Sequence, residues 1–297
     1  MKDNKERCVN AFFSHLQENR KTSQNTLSAY KRDISSFFDF LDSIKKDFTK
    51  INDKEISQYK TYLAEQGKSV STVSRCMSTL RTFYKFLVVN GDVSVNPAVA
   101  VKNDKTEKKF FEVLTEDEID KLLMQPDSKD FKGKRDRAML EVLYATGMKV
   151  SELMALNLCD VNTKMHCIHC GISKERVVLL YPKAVKLIED YISKSRNYFV
   201  AADDEEALFV NTNGERMTRQ GFWKILKGYA ENAGISKSIT PHTLRHSFAT
   251  HLLENGADIN DIKNILGHAD ISSTQVYSDF IKSKLNNTYL KFNHRSK

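Results

Sequence analysis

At 297 residues the chain is too long for one small core and suits two domains, and its 40% hydrophobic content is that of a folded globular protein. It has no run of about 18 apolar residues to span a membrane, its charged start MKDNKERCVN lacks the apolar stretch of a signal peptide, and its five scattered cysteines form no disulfide framework. A cytoplasmic protein is expected. The formal charge of +8 favours a polyanionic partner, with 17 Lys+Arg against 12 Asp+Glu in residues 1–104, a net +5 that leaves +3 for the remainder.

Proline occurs only at positions 97, 126, 182 and 241, so long helices are tolerated almost everywhere. Four helices fit the first 90 residues. The first runs from about Lys5 to Arg20. The second spaces Tyr30, Ile34, Phe37 and Leu41 as a helical apolar stripe. The third covers about Lys54 to Gln66, with Gly67 suited to a left-handed cap. The fourth sets Val73, Met77, Leu80, Tyr84 and Leu87 on one face and leaves Arg75, Arg81 and Lys85 elsewhere, where they are candidate phosphate contacts or simply solvated charges.

Asn96-Pro97 ends this block, and the polar, Lys-rich stretch to Phe110 reads as a linker. Thr115 and Glu118 form a capping box that opens a new helix. Another helix runs from about Arg135 to Thr146, stops at Gly147, and is followed by one starting near Ser151. Residues 160–180 read as short strands with a turn around Gly171 and Ser173. Helices follow at about 183–194, 218–232, 241–255 and 258–266.

Three signals cluster near the C-terminal end. In Pro241-His242-Thr243-Leu244-Arg245-His246, the proline suits a first helical turn, and His242 and Arg245 at i, i+3 share a face that can donate several hydrogen bonds to one phosphate. Leu266-Gly267-His268 ends a helix and presents a histidine. Ser273-Thr274-Gln275-Val276-Tyr277 ends in a tyrosine after a polar segment. Each alone is also what an ordinary surface offers; it is the joint spacing that carries information.

That joint pattern resembles box II of the tyrosine recombinases, specifically the Xer type. Ala145-Thr146-Gly147-Met148-Lys149-Val150-Ser151-Glu152-Leu153 resembles their box I, and Ser173-Lys174-Glu175-Arg176 the end of their lysine-bearing hairpin. Thr26, Tyr30, Asp33 and Phe37 follow the pattern of their core-binding domain. The resemblance covers nearly the whole chain. It implies a mainly α protein with a small β-sheet: a four-helix, SAM-like core-binding DNA-binding domain over 1–98, a linker over 99–112 and an α+β catalytic domain over 113–297. It also implies strand exchange without metal, nucleotide or other cofactor. Tyr277 would be the nucleophile, with Arg245, His242 and His268 stabilising the phosphorane and His242 the acceptor that activates the tyrosine.

Two positions depart from the family pattern. Lys149 stands where box I has arginine, keeping the charge but losing the planar fork. Gly171 stands where the hairpin lysine, the general acid for the leaving 5′-oxygen, is expected. Lys174, three residues on, is the candidate substitute. The nearby His166-Cys167-Ile168-His169-Cys170 invites a metal reading, but no second ligand cluster accompanies it, and strand alternation would send the two cysteines to opposite faces.

Two function classes follow: a site-specific recombinase serving dimer resolution or mobile-element movement, and an impaired paralogue that binds DNA at recombination sites without cutting it. No accessory module precedes the first helix, which favours a short double-stranded core site. The family works as a homo- or hetero-tetramer on two DNA sites. Ile281, Leu285 and Tyr289 give the tail an apolar stripe for docking on a partner.

Overall fold

The computed structural model describes residues 2–20, 22, 24–103, 111–171, 175–200 and 205–267. Its contacts divide the chain into two compact units, Met1–Lys108 and Lys109–Lys297.

The first unit is built from α1 (Lys2–Arg20), α2 (Gln24–Ser43), α3 (Asp53–Glu65) and α4 (Val70–Val89). Their stripes converge on an aromatic core. Phe12, Phe37 and Phe83 are fully buried, with Phe12 and Phe83 edge-on at 5.2 Å and Phe37 and Tyr59 at 5.1 Å. Each such burial stabilises by roughly 1.5–3 kcal/mol. The Asn52–Glu55 capping box starts α3, and the Ser69 side chain caps α4. Asp33 is buried between α2 and α4, where Arg75 pairs with it at 2.9 Å and Thr79 Oγ1 donates to it at 2.9 Å.

The stretch read as a linker begins as a packed strap. Ala98 and Val101 are buried in this core, and Arg81 donates to the carbonyls of Ala98 and Val101 and to Asn103 Oδ1. Composition hides this, because the contacts are made by backbone carbonyls.

The second unit opens with α5 (Glu116–Met124), capped as expected by Thr115 and Glu118. The central helix α6 (Phe131–Thr146) starts four residues before the sequence-based boundary, because the Asp130 carboxylate caps Gly133 N. Ala138, Met139, Leu140, Val142 and Leu143 are all buried, so α6 is an interior helix rather than an amphipathic one. Then follow α7 (Val150–Ala155), a 3-10 turn at Leu158–Asp160, and an antiparallel sheet of β1 (Val161–Asn162), β2 (Cys167–Cys170) and β3 (Arg176–Leu179) in that order. Helix α8 (Pro182–Tyr191) passes into a π segment (Ile192–Arg196) and the short α9 (Asn197–Phe199). The unit continues through α10 (Arg219–Asn232), α11 (Pro241–Glu254) and α12 (Ile259–Leu266). Two isolated bridges, Asn157–Ala207 and Val210–Arg216, are absent from the sequence reading. They join single residues and leave no periodic signal.

Candidate active site

Helix α11 begins with Thr240 as N-cap and Pro241 in the first turn, and this puts His242 and Arg245 one turn apart. Their environments differ. His242 is exposed, whereas Arg245 is 4% exposed. Arg245 Nη1 donates to Gly147 O at 2.6 Å and Nη2 to Leu266 O at 2.7 Å. The guanidinium therefore ties the turn after α6 to the end of α12, and its plane is fixed before any substrate arrives.

Gly147 caps α6 in the left-handed conformation, and two residues on Lys149 forms the N-cap of α7. Lys149 is exposed, and its backbone N–H donates to Glu152 Oε2 at 2.8 Å. Arg176, at the start of β3, meets the same carboxylate with a two-pronged contact, Nη1 to Oε1 at 2.9 Å and Nη2 to Oε2 at 3.0 Å. Burial works against a charged Glu152. The Arg176 fork, the Lys149 N–H and the positive charge of Arg245 outweigh it and hold the carboxyl below the ordinary carboxylate value.

Arg176 Nε reaches further, to Ile265 O at 2.8 Å. The carbonyls of Ile265 and Leu266 are thus taken by Arg176 and Arg245 in turn. Gly267 follows at φ 65, and a Cβ there would lie 2.8 Å from Arg176 Nη1. The glycine of the Leu-Gly-His signal is required twice, by its backbone conformation and by the guanidinium packed on it.

In the hairpin, Cys170 pairs with Arg176 as the last register position before the turn. Ile168 and Cys170 join the core cluster. Cys167 and His169 alternate to the other face, where Cys167 is nonetheless buried and His169 exposed. No group of three His, Cys, Asp or Glu side chains suited to a metal occurs among the described residues. A cavity of about 350 Å³ beside the hairpin is lined by Glu152, Asp160, His169, Glu175 and Arg176, so acidic and basic groups share its wall. Lys174, His268, Tyr277 and the tail positions Ile281, Leu285 and Tyr289 lie outside the described residues.

The three basic candidates on α4 separate. Arg75 is paired with Asp33, and Arg81 is committed to the strap carbonyls. Lys85 is exposed.

The sequence profile of the phage integrase family matches residues 112–283, and that of the phage integrase N-terminal SAM-like domain matches residues 9–91. The chain belongs to the phage integrase family, the tyrosine recombinases. It is 44% identical to tyrosine recombinase XerD of Oceanobacillus iheyensis, over 98% of this chain and 99% of that one. It is 40% identical to tyrosine recombinase XerD of Listeria monocytogenes, over 97% and 99%. Among solved structures it is similar to XerA recombinase, with 28% identity, a TM-score of 0.55, and coverage of 97% of this chain and 98% of that one. The fold is shared with XerH recombinase bound to palindromic difH substrate after cleavage, with 20% identity, a TM-score of 0.76, and coverage of 97% and 88%. The chain is a DNA breaking-rejoining enzyme that carries out site-specific recombination by the tyrosine recombinase mechanism.

Beyond the box residues, the recombinase fold brings a second group to α11. Leu114 N donates to Ser247 Oγ at 2.9 Å, and Leu114 O lies 2.9 Å from His251 Nε2. His251 Nδ1 lies 2.8 Å from Tyr144 OH, and Phe111 stacks on His246 at 4.5 Å. The start of the catalytic unit is therefore fastened along the helix that carries Arg245. Sequence reasoning gave none of these residues a role. The available signal was the polar i, i+4 pair Ser247 and His251 on α11.

Proposed function

We propose that Tyr277 attacks a phosphodiester of a double-stranded core site, its phenolic proton passing to His242. The P–O5′ bond breaks, a 3′-phosphotyrosyl link forms, and the leaving 5′-oxygen takes a proton from Lys174. The 5′-hydroxyl of a partner strand then attacks the link and releases the tyrosine, so no energy source is consumed. Arg245, His268 and Lys149 stabilise the negative charge that develops on the phosphorane. Residues 1–98 serve as the DNA-binding core domain and 113–297 as the catalytic domain, with four copies, or two each of two recombinases, acting on two sites.

The observation that carries this reading is Arg245, a buried guanidinium anchored on one side to Gly147 O of the box I turn and on the other to Leu266 O at the end of α12. A preorganised donor of that kind loses little on meeting a transition state. The two retained XerD-like features, near full-length similarity and an intact His242–Arg245 turn, support catalysis rather than binding alone.

The test is a nicked suicide substrate carrying a candidate core site. A covalent adduct on a denaturing gel that disappears in Tyr277→Phe supports the reading. Tight, specific DNA binding with no adduct overturns it in favour of a non-cutting partner.

A further inference from the structure

The Glu152–Arg176 pair sits one peptide from the Leu266 carbonyl that anchors Arg245, the residue that must face a phosphate, because Arg176 Nε holds Ile265 O and Arg245 Nη2 holds Leu266 O. A carboxylate so placed would be a competitor for that guanidinium. It does not bond to Arg245: both of its oxygens are occupied by the parallel prongs of Arg176 and by Lys149 N–H. Arg176 at the same time holds Ile265 O, the neighbour of the Leu266 carbonyl that anchors Arg245. Its third contact is steric, against Gly267, next in the chain to which is His268. One guanidinium thus neutralises the competing carboxylate and fixes the helix end on which Arg245 rests.

We propose that Arg176 is a positioning residue that keeps Glu152 off Arg245 and locks the end of α12, so that Arg245 is presented to the scissile phosphate. This deepens the reading of the site given above and rests on it. Arg176 itself touches no substrate atom in this scheme. Its loss acts through a newly freed carboxylate: with Arg176 gone, Glu152 competes with the phosphate for Arg245, and the end of α12 loses its hold on Ile265 O.

The electrostatic half makes an unusual demand, because removing a second charge should then restore activity. The experiment compares the unmutated chain with Arg176→Met, Glu152→Gln and the double variant Arg176→Met/Glu152→Gln. Arg176→Lys is the conservative control. Adduct formation on the nicked substrate and DNA affinity are measured in parallel. Arg176→Met is expected to slow adduct formation on the order of 10- to 100-fold, the range seen when a partner that orients a catalytic ligand is lost, with DNA affinity nearly unchanged. The double variant is expected to cleave faster than Arg176→Met, and Arg176→Lys to fall between the two extremes.

A spectroscopic readout makes the contact testable without turnover. The Arg245 Nε–Hε resonance, assigned through Arg245→Lys, should shift in free Arg176→Met and return towards its original position in the double variant. A double variant that cleaves more slowly than Arg176→Met, or an Arg245 resonance indifferent to position 176, overturns the proposal. Absence of an adduct in the unmutated chain fails the functional reading instead, and the Arg245 resonance then decides the Arg176 contact by itself.

Discussion

Arg176 and Glu152 meet through two parallel hydrogen bonds of 2.9 and 3.0 Å, with each side chain only 9% exposed. Burial alone would raise the Glu152 carboxyl. The Arg176 fork and the Lys149 N–H reverse that, and its folded value lies below the ordinary 4.5. A carboxyl depressed on folding contributes stability that is present above the unfolded value and is lost as pH falls through the folded one. Glu152→Gln, which leaves Arg176 buried without a counter-charge, is expected to cost about 3–5 kcal/mol near neutral pH. The difference from the unmutated chain should shrink below about pH 4.5, where the unfolded carboxyl begins to protonate. Melting curves of both proteins from pH 7 to pH 3 check this, and a gap independent of pH would remove the ion pair from the explanation.

The helices of both units were legible because they are periodic and well capped. The stripe of Tyr30, Ile34, Phe37 and Leu41 and the capping box of Thr115 and Glu118 are local signals, and both elements formed where expected. What was not legible is made by single residues acting over long sequence distances. Arg81 reads as a surface cation on α4, yet it binds carbonyls 17 and 20 residues on. Arg176 and Glu152 were visible only as letters inside two motifs 24 residues apart. The early start of α6 was hidden because its N-cap, Asp130, precedes a charged turn with no apolar stripe. The box II turn was readable because Pro241, His242 and Arg245 lie within one helical turn of one another.

The seat of Leu114 on α11 gives a stability prediction for the catalytic unit. His251→Ala leaves Leu114 O without its donor and the half-buried Tyr144 hydroxyl without its partner. At about 1–3 kcal/mol for each stranded group, a loss of about 2–4 kcal/mol is expected. Ser247→Ala strands the buried Leu114 N–H and removes the bond from Ser247 Oγ to Thr243 O, so it should cost about 1–3 kcal/mol. Calorimetry of the full chain measures both. A His251→Ala protein as stable as the unmutated chain would mean that Leu114 is held by packing alone.

The basic residues of α4 divide into structural and free charges, and salt titration separates them. Lys85→Ala should leave the melting temperature unchanged and, if Lys85 meets a phosphate, reduce the slope of log affinity against log salt by about 0.9. Arg81→Ala strips donors from two carbonyls and from Asn103, so it should lower the stability of the first unit by about 2 kcal/mol or more. A change in slope for Arg81→Ala without any loss of stability would assign that residue to DNA after all.

The lysines proposed to act on the scissile phosphate offer the sharpest contrast. Lys149 is exposed at the start of α7, so Lys149→Arg can restore a forked donor without repacking a core. A single transition-state donor is worth about a hundred- to a thousandfold in rate, and Lys149→Arg should recover part of that as faster adduct formation. Gly171→Lys is a different matter. Gly171 closes the hairpin at φ 133, a conformation that a lysine adopts only under strain of about 1–3 kcal/mol. Installing the missing lysine there should lower stability and yield little rate unless the turn re-forms. On the proposed reading the acid role belongs to Lys174. Lys174→Ala should cut cleavage of a normal strand severely but have little effect on a strand whose leaving 5′-oxygen is replaced by sulfur, because a thiolate leaves without a proton. If Lys174→Ala cleaves both strands like the unmutated chain, the hairpin supplies no acid, and Lys149 becomes the residue to test in that role.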